Sequence, residues 1–341
     1  MDAELRAARN ARERAVAWLL ARIGPEGEPE DALERNGWSR LGWGLAVGGQ
    51  FDAAAAVVSW VGANRIAADG GFQPGRVSGQ SYIASYPHYW LGTFVISAWM
   101  AGRLDLAIRS MAYLRSRQDP ATGGMPIALD LPGEPVCDML STAQVGLSAV
   151  VLGDRETADA CARWVRSLAS QSAAESLVFH SFRKGEAVWS DPDPAFAWAA
   201  AADFAKPRQA FYPPGMGAVF LARYAGRYGC SSSLDAARRL LEFNIRGHQA
   251  QFDDIASVQA CKFGWAAGEM SLADPEADWT PWVRRMITWF VDRQAPEGWW
   301  GPSTFADPDP SIADRLVKTS EHLMELSVCM AALGAVTSRR I

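Results

Sequence analysis

Residues 86–117 read YPHYWLGTFVISAWMAGRLDLAIRSMAYLRSR, and this stretch decides the fold class. Its first part, Tyr86–Gly102, is nearly uncharged and apolar, whereas Leu104–Arg117 is amphipathic and carries Arg and Asp. A helix that is apolar all round must be buried, and an amphipathic helix covers it and faces water. The stretch therefore predicts a hairpin of one inner and one outer helix, with its turn at Gly102.

The same alternation recurs six times along the 341 residues. The predicted inner helices are Gly37–Gly49, Tyr86–Gly102, Asp138–Gly153, Pro214–Gly226, Asp253–Met270 and Thr319–Gly334. The predicted outer helices are Leu5–Arg22, Phe51–Asn64, Leu104–Arg117, Arg155–Ser170, Ser233–Arg246 and Pro281–Arg293. Equivalent helices lie about 50 residues apart, a period at which each repeat unit packs on its neighbours.

This pattern predicts an all-α fold, an (α/α)6 toroid of six helical hairpins around a central cavity. An open solenoid is the rival architecture. We treat residues 1–341 as a single toroid domain with an insertion at about 172–208, because the hairpin period is interrupted only there. Within the insertion, Ala195–Phe204 favours a short extra helix.

The composition of the chain limits the classes of molecule that it can be expected to bind. The formal net charge is −5, and the basic residues are dispersed, so we expect no nucleic-acid partner. The five cysteines lie far apart, without a CxxC pair, as is usual for reduced thiols in the cytoplasm. No segment is apolar and long enough to span a bilayer, and the N-terminus does not read as a secretory signal. We therefore expect a cytoplasmic protein without stable membrane insertion, acting on a small molecule; an oligomer is compatible with the sequence.

The link from Phe290 to Trp300, FVDRQAPEGWW, is the clearest local motif. A Gln at the end of an outer helix satisfies backbone groups there, and a Trp after the following Gly packs over the turn. The pattern resembles the QW repeat of squalene–hopene and related triterpene cyclases. Two weaker copies occur, one at Tyr113–Met125 with Met in place of Trp and one at Trp60–Phe72 without the Gln. The resemblance implies the toroid shared by terpene cyclases and protein prenyltransferases.

A second resemblance concerns chemistry. Gln251-Phe252-Asp253-Asp254 begins a predicted inner helix and is similar to the DxDD motif of class II terpene cyclases, with Gln251 in place of the first Asp. The resemblance implies that Asp253 is the proton donor and Asp254 its neighbour. Burial or a paired charge must raise the pKa of such a donor. The alternative is that Asp253 is a helix N-cap with Asp254 in the first turn.

Residues 258–265, VQACKFGW, are similar to the zinc-binding stretch of protein prenyltransferases. That family places an Asp two residues before the Cys, where this chain has Gln259, and His322 matches its later His. Gln is a poor zinc ligand. We therefore predict no metal and no cofactor.

If the inner helices all begin at one rim of the toroid, their first residues surround one opening of the cavity, which we call the mouth. Six helix N-termini at the mouth would favour binding of an anion. His88 is the histidine best placed for acid–base chemistry, or else it is a structural histidine at a helix start. No chemistry is assigned to His180 or His248. The expected substrate-binding residues at the mouth are Trp38, Tyr86, Tyr89, Trp90, Cys137, Asp138, Tyr212, Gln259, Glu321 and His322.

The leading functional hypothesis is an enzyme, a lyase or isomerase, that acts on an apolar or semi-polar small molecule in the toroid cavity. Its specific form is acid-initiated, class II-like cyclisation or isomerisation of an isoprenoid or an isoprenoid-containing natural product, with Asp253, Asp254 and His88 as catalytic residues and aromatic faces stabilising cations. One alternative is an (α/α)6 carbohydrate-active enzyme, a sugar epimerase or glycoside hydrolase. The other is a toroid that binds a ligand without catalysis.

Overall fold

The structure is a computed structural model that describes residues 3–33, 36–75, 86–128, 135–171, 176–183, 186–187, 200–254, 260–301 and 309–339. In chain order its helices are α1 (Ala3–Leu20), α2 (Trp38–Val47), α3 (Phe51–Asn64), α4 (Pro87–Met100), α5 (Leu104–Arg117), α6 (Met139–Leu152), α7 (Arg155–Gln171), α8 (Tyr212–Tyr228), α9 (Ser231–Arg246), α10 (Ala250–Asp253), α11 (Cys261–Ala273), α12 (Thr280–Asp292) and α13 (Ile312–Arg339).

Six of these helices form a closed inner ring. Helix α2 packs against α4, α4 against α6, α6 against α8, α8 against α11 and α11 against α13, and α13 returns to α2. The last contact closes the ring, which excludes the open solenoid. The predicted (α/α)6 toroid is confirmed.

The outer layer follows from the charge pattern. Helices α3, α5, α7, α9 and α12 each follow or precede an inner helix and cover it, and α1 packs on α12 and α13 to complete the layer.

The inner helices approach one another closely because small residues face each other. At Gly215 in α8, a Cβ atom would lie 2.5 Å from the backbone of Lys262 in α11, so only glycine fits this crossing.

The turn between α12 and α13 has the role predicted from its motif. Gln294 Nε2 donates to the carbonyl oxygens of Ala11 at 2.8 Å and Gly298 at 2.9 Å. Trp300 is buried and its Nε1 donates to the carbonyl of Phe290 at 2.9 Å. The turn therefore fastens the last outer helix to the first helix of the chain.

One short strand lies just before α6, and four lie between α7 and α8 in the described part of the chain. Strands β1 (Cys137–Asp138), β3 (Ser181–Arg183) and β4 (Glu186–Ala187) form one antiparallel sheet in the order β1-β3-β4. Strands β2 (Leu177–Phe179) and β5 (Ala201–Asp203) pair antiparallel in a second sheet. Residues 201–203, for which the sequence favoured a helix, are extended because their backbone pairs with β2. None of the described helices combines the length and the apolarity needed to cross a membrane.

Candidate functional site

Asp138 lies at the N-cap of inner helix α6, with its side chain turned into the protein. Its Oδ1 accepts a hydrogen bond of 2.8 Å from the backbone N–H of Ser141, and the residue is only 2% exposed. Asp is favoured at this position because its side chain satisfies an otherwise unpaired N–H of the first turn. The cap therefore fixes the carboxyl group at the rim where the inner helices begin.

Burial changes the acid–base character of this carboxyl group. Burial raises the pKa of Asp138 to about 7, against the opposing effect of the hydrogen bond from the Ser141 backbone. The group is therefore a neutral carboxylic acid below neutral pH, because a buried anion loses its hydration. A neutral acid at a cavity wall can donate a proton, which an exposed aspartate at the same pH cannot.

Asp138 lines a small recess at this rim. Its other walls in the described part of the chain are Tyr86, Leu140, His180, Tyr212 and Pro213. The free space inside it is about 10 Å³, so the recess holds about one water molecule and is far smaller than a typical ligand site of roughly 300–1,000 Å³. The structure thus brings together Tyr86, Asp138 and Tyr212, which the sequence placed at a common mouth.

His180 is a wall residue that the sequence analysis missed. Its backbone is held on both sides, because Met139 N donates to the His180 carbonyl at 2.8 Å and His180 N donates to the Ala200 carbonyl at 2.7 Å. The side chain is buried, its Nε2 has no hydrogen-bond partner among the described residues, and burial lowers its pKa to about 3. The imidazole is therefore neutral, with a ring nitrogen available to a ligand.

A cluster of charged side chains fills the opposite side of the ring centre, between α2, α11 and α13. Glu321 Oε1 contacts Arg40 Nη1 at 2.7 Å and Lys262 Nζ at 2.5 Å, and its Oε2 contacts Lys318 Nζ at 2.6 Å. Lys262 Nζ also contacts Glu325 Oε1 at 2.7 Å. We call Arg40, Lys262, Lys318, Glu321 and Glu325 the charged cluster.

The members of the charged cluster keep one another ionised. Burial would raise the pKa of Glu321, but Lys262, Lys318 and Arg40 hold it well below its ordinary value. Burial would likewise lower the pKa of Lys262, but Glu321 and Glu325 raise it. Three cations therefore face two anions in the ring centre, which leaves the cluster with one positive charge in excess.

Next to the charged cluster, three side chains have the chemistry of metal ligands. Potential donor atoms of Cys261, His322 and Glu325 all lie within 4.8 Å of one another. Glu325 is already engaged, however, by Lys262 at 2.7 Å and by His322 Nδ1 at 3.0 Å. A divalent ion there would add positive charge beside a cluster that already has an excess, and burial raises the pKa of the Cys261 thiol. The set does not fit zinc, which needs a thiolate and free ligand atoms.

The prediction that Asp253 begins a buried helix is wrong. Asp253 ends the short helix α10, its side chain is 69% exposed, and Arg285 Nη2 lies 3.4 Å from its Oδ1. Asp254 follows it, 3.6 Å from Arg208 Nε, while the inner helix begins only at Cys261. Asp253 is therefore an exposed carboxylate beside an arginine and lacks the burial expected of the proton donor.

The predicted catalytic residue His88 lies at the start of α4. Its Nδ1 is 2.7 Å from the Pro126 carbonyl oxygen, and since a carbonyl only accepts, Nδ1 carries the hydrogen. Burial lowers the pKa of His88. His88 is not among the described walls of the recess. This geometry matches the structural alternative that the sequence left open.

The other mouth residues divide between the two sides of the ring. Tyr89 accepts a hydrogen bond from Arg40 Nη2, and the Arg40 guanidinium lies 5.9 Å from the ring centre of Trp90. Trp38 is buried and packs edge-on against Phe72.

The remaining predicted mouth residues have other surroundings. Cys137 precedes Asp138, and burial raises the pKa of its thiol to about 12, so the thiol is unreactive. Gln259 lies outside the described residues. Glu321 belongs to the charged cluster, and His322 packs among Trp289, Phe290 and Trp300.

Comparison with known proteins places the fold among two kinds of enzyme. No protein-family model and no curated protein matches the chain. A variant of the type II terpene cyclase MstE from Scytonema, in complex with its substrate geranylgeranyl dihydroxybenzoate, aligns with a TM-score of 0.62 at 14% identity, over 97% of this chain and 99% of that one.

Two family 76 glycoside hydrolases align equally well. An α-mannanase from Bacteroides thetaiotaomicron has a TM-score of 0.65 at 13% identity, over 98% of this chain and 97% of that chain. An α-1,6-mannanase from Salegentibacter sp. HEL1_6 has a TM-score of 0.63 at 12% identity, over 96% of this chain and 99% of that chain. At these identities the likeness shows a shared toroid fold and leaves function to the residues of the site.

Proposed function

We propose that this protein is an enzyme that starts cyclisation or isomerisation of an isoprenoid, or of an isoprenoid-containing molecule, by protonating it from Asp138. The observation that carries the proposal is a buried carboxyl group with a pKa raised to about 7 at the wall of a recess inside the toroid. Protonation-initiated chemistry needs an acid that holds its proton at working pH and faces the substrate. In this proposal Asp138 is the proton donor, the role that the sequence resemblance implied for Asp253.

The first step forms a C–H bond and a cation. The π electrons of a substrate alkene take the Asp138 proton, which leaves a carboxylate on Asp138 and a carbocation on the neighbouring carbon. In a cyclisation, a second alkene of the same molecule then attacks the cation and closes a ring. Tyr86 and Tyr212 line the recess, and the faces of their rings stabilise a cation there.

The last step removes a proton from the final cation and restores the acid. His180 is neutral, buried and has an unpartnered Nε2, so it can accept this proton. Its low pKa makes it a weak base, but a carbocation is a far stronger acid than the imidazolium that forms. Return of the proton from His180 to Asp138 leaves the enzyme unchanged and the product an isomer of the substrate.

Glycoside hydrolysis is the second candidate, since α-mannanases share the fold. Glycosidases of the common mechanisms use two carboxyl groups roughly 5–9.5 Å apart. Among the described residues, Asp138 is the only acid that lines the recess. Glu321, a buried acid on the opposite side of the ring, is held as an anion by contacts with three cations. One acid among the described walls of the recess therefore favours the isoprenoid reaction.

A panel of substrates tests the proposal. The wild-type protein and the Asp138→Asn variant are incubated with prenyl diphosphates, isoprenoid acids and alcohols, and α-1,6-linked manno-oligosaccharides, and products are detected by mass spectrometry. We expect an isomeric product from at least one isoprenoid with the wild type and none with the variant. The Asp253→Asn variant is the matched control and should be as active as the wild type. Hydrolysis of the oligosaccharides without any isoprenoid product would refute the proposal.

A further inference from the structure

The charged cluster contains more cations than anions, so it can bind a further negative group. It contains three cations and two anions, and four of its five side chains are at most 4% exposed. An uncompensated charge removed from water is costly, so such clusters are normally balanced by a partner of opposite sign. Within the described residues, the missing counter-charge is one negative group.

Lys318 is the most exposed member of the charged cluster. The Lys318 side chain is 21% exposed, and in the described part of the chain its ammonium group donates only to Glu321. An ammonium group has three donors, so two remain for a ligand. Lys318 is thus the member of the cluster that an incoming anion meets first.

Further donors nearby find no acceptor among the described residues. Arg40 is 1% exposed, yet its Nε has no hydrogen-bond partner in this part of the chain, and the same holds for Nε1 of the adjacent buried Trp90. Buried donors without acceptors are rare and costly in folded proteins. Acceptor-rich groups such as carboxylates and phosphates supply what these donors lack.

The charged cluster and the recess lie at the same rim, on opposite sides of the ring. Arg40 is the third residue of α2 and Lys262 the second of α11, whereas Asp138 caps α6 and Tyr212 begins α8. The inner helices therefore direct their positive N-terminal ends toward this rim, which adds to the attraction for an anion.

We infer that the charged cluster is a subsite for the carboxylate or phosphate group of the substrate, with Lys318 and Arg40 as its binding residues. The inference rests on the proposed function, and it specifies the substrate class: an isoprenoid with an anionic group at one end and the reacting alkene at the other. The anion is held beside α2 and α13 while the alkene faces Asp138 on the other side of the ring.

Calorimetry with matched ligands tests this subsite. Geranyl diphosphate, geranoic acid and geraniol share one chain and differ in the end group. We expect at least one of the two anions to bind the wild type 10-fold or more tightly than geraniol, and the stronger of the two identifies the group. Lys318→Met should reduce this preference to less than threefold, while Lys318→Arg retains it. Lys206→Met, at an exposed lysine paired with Asp203, is the control and should bind like the wild type.

Two results would overturn the subsite. One is equal binding of the charged and neutral ligands by the wild type, including no binding of any. The other is an unchanged preference in Lys318→Met when its melting temperature matches that of the wild type. Because binding needs no turnover, Asp138→Asn should keep the preference for the anion. A retained preference without turnover of any isoprenoid would thus remove the proposed reaction and leave the subsite.

Discussion

The backbone N–H of Met139 donates to the carbonyl of His180 at 2.8 Å, and this bond fastens the insertion to the first residue of inner helix α6. The strand register continues the connection, because Asp138 pairs with Ser181 and Cys137 with Phe182. The insertion therefore closes over the helix start and removes Asp138 from water. That burial makes the carboxyl group an acid, and it places His180 beside it.

The stability of the fold should depend on pH through Asp138. The carboxyl group keeps its proton up to about pH 7 in the folded chain, whereas in the unfolded chain it ionises near its ordinary value of 3.8. The resulting stabilisation is complete below about pH 4 and is lost as the pH rises toward 7, a change on the order of 4 kcal/mol.

Urea unfolding of the wild type and Asp138→Asn between pH 4.5 and 8 measures this effect. Asn caps a helix as well as Asp does and does not titrate, so the difference between the two proteins isolates the carboxyl group. We expect the wild type to lose stability relative to the variant as the pH rises. A difference that stays constant across the range would contradict a raised pKa.

The charged cluster should be sensitive to the loss of its central carboxylate. Glu321→Gln leaves Arg40, Lys262 and Lys318 with only Glu325 as a buried counter-charge, and removal of one partner from a buried ion pair typically costs about 3–5 kcal/mol. Chemical denaturation gives the free energy of unfolding. Asp105→Asn, which breaks the exposed pair with Arg103, should change it by less than about 1 kcal/mol. Equal effects of the two changes would show that the cluster does not need Glu321.

Metal removal should leave the protein unchanged. Because Lys262 and His322 already engage Glu325, we expect the melting temperature to be the same with and without a chelator, and added zinc not to raise it. Elemental analysis of the purified protein provides the second readout. A melting temperature that falls on chelation in the wild type and not in Cys261→Ser would place a structural metal at this group.

The turn after α12 should tolerate no side chain at Gly298. Its φ is +102°, and a Cβ atom would lie 2.5 Å from the Arg14 carbonyl oxygen. Gly102 also has a positive φ, +73°, but a Cβ there would meet nothing within 4 Å. We expect Gly102→Ala to cost about 1 kcal/mol and Gly298→Ala about 2–4 kcal/mol, since the clash adds to the backbone strain. Similar melting temperatures for the two variants would contradict a tight contact at this turn.

The order of inner and outer helices could be predicted because apolar and charged helical segments alternate along the chain. The predicted helix Asp138–Gly153 corresponds to α6 (Met139–Leu152) with Asp138 as its cap, and the predicted role of Gln294 in the turn is confirmed. These features depend on neighbours in sequence. Local periodicity and capping chemistry are therefore sufficient to predict them.

The candidate site could be predicted only in part, because it depends on contacts between residues that are far apart in the sequence. Asp253 has the sequence of a helix start, but the inner helix begins eight residues later, at Cys261. His180 lies in a segment without helical periodicity, and only its pairing across β1 and β3 brings it to Asp138. Glu325 follows His322 by one helical turn, a spacing that places both on one face, yet its partner Lys262 comes from another helix.

Deuterium transfer from solvent tests the central role of Asp138 most directly. The protein is incubated in D2O with the isoprenoid panel, where the Asp138 proton exchanges for deuterium before it is delivered to carbon. We predict a product one mass unit heavier than the substrate, with one deuterium bound to carbon, formed by the wild type and by Asp253→Asn but not by Asp138→Asn. A product without carbon-bound deuterium, or the same labelled product from Asp138→Asn, would contradict protonation by this residue.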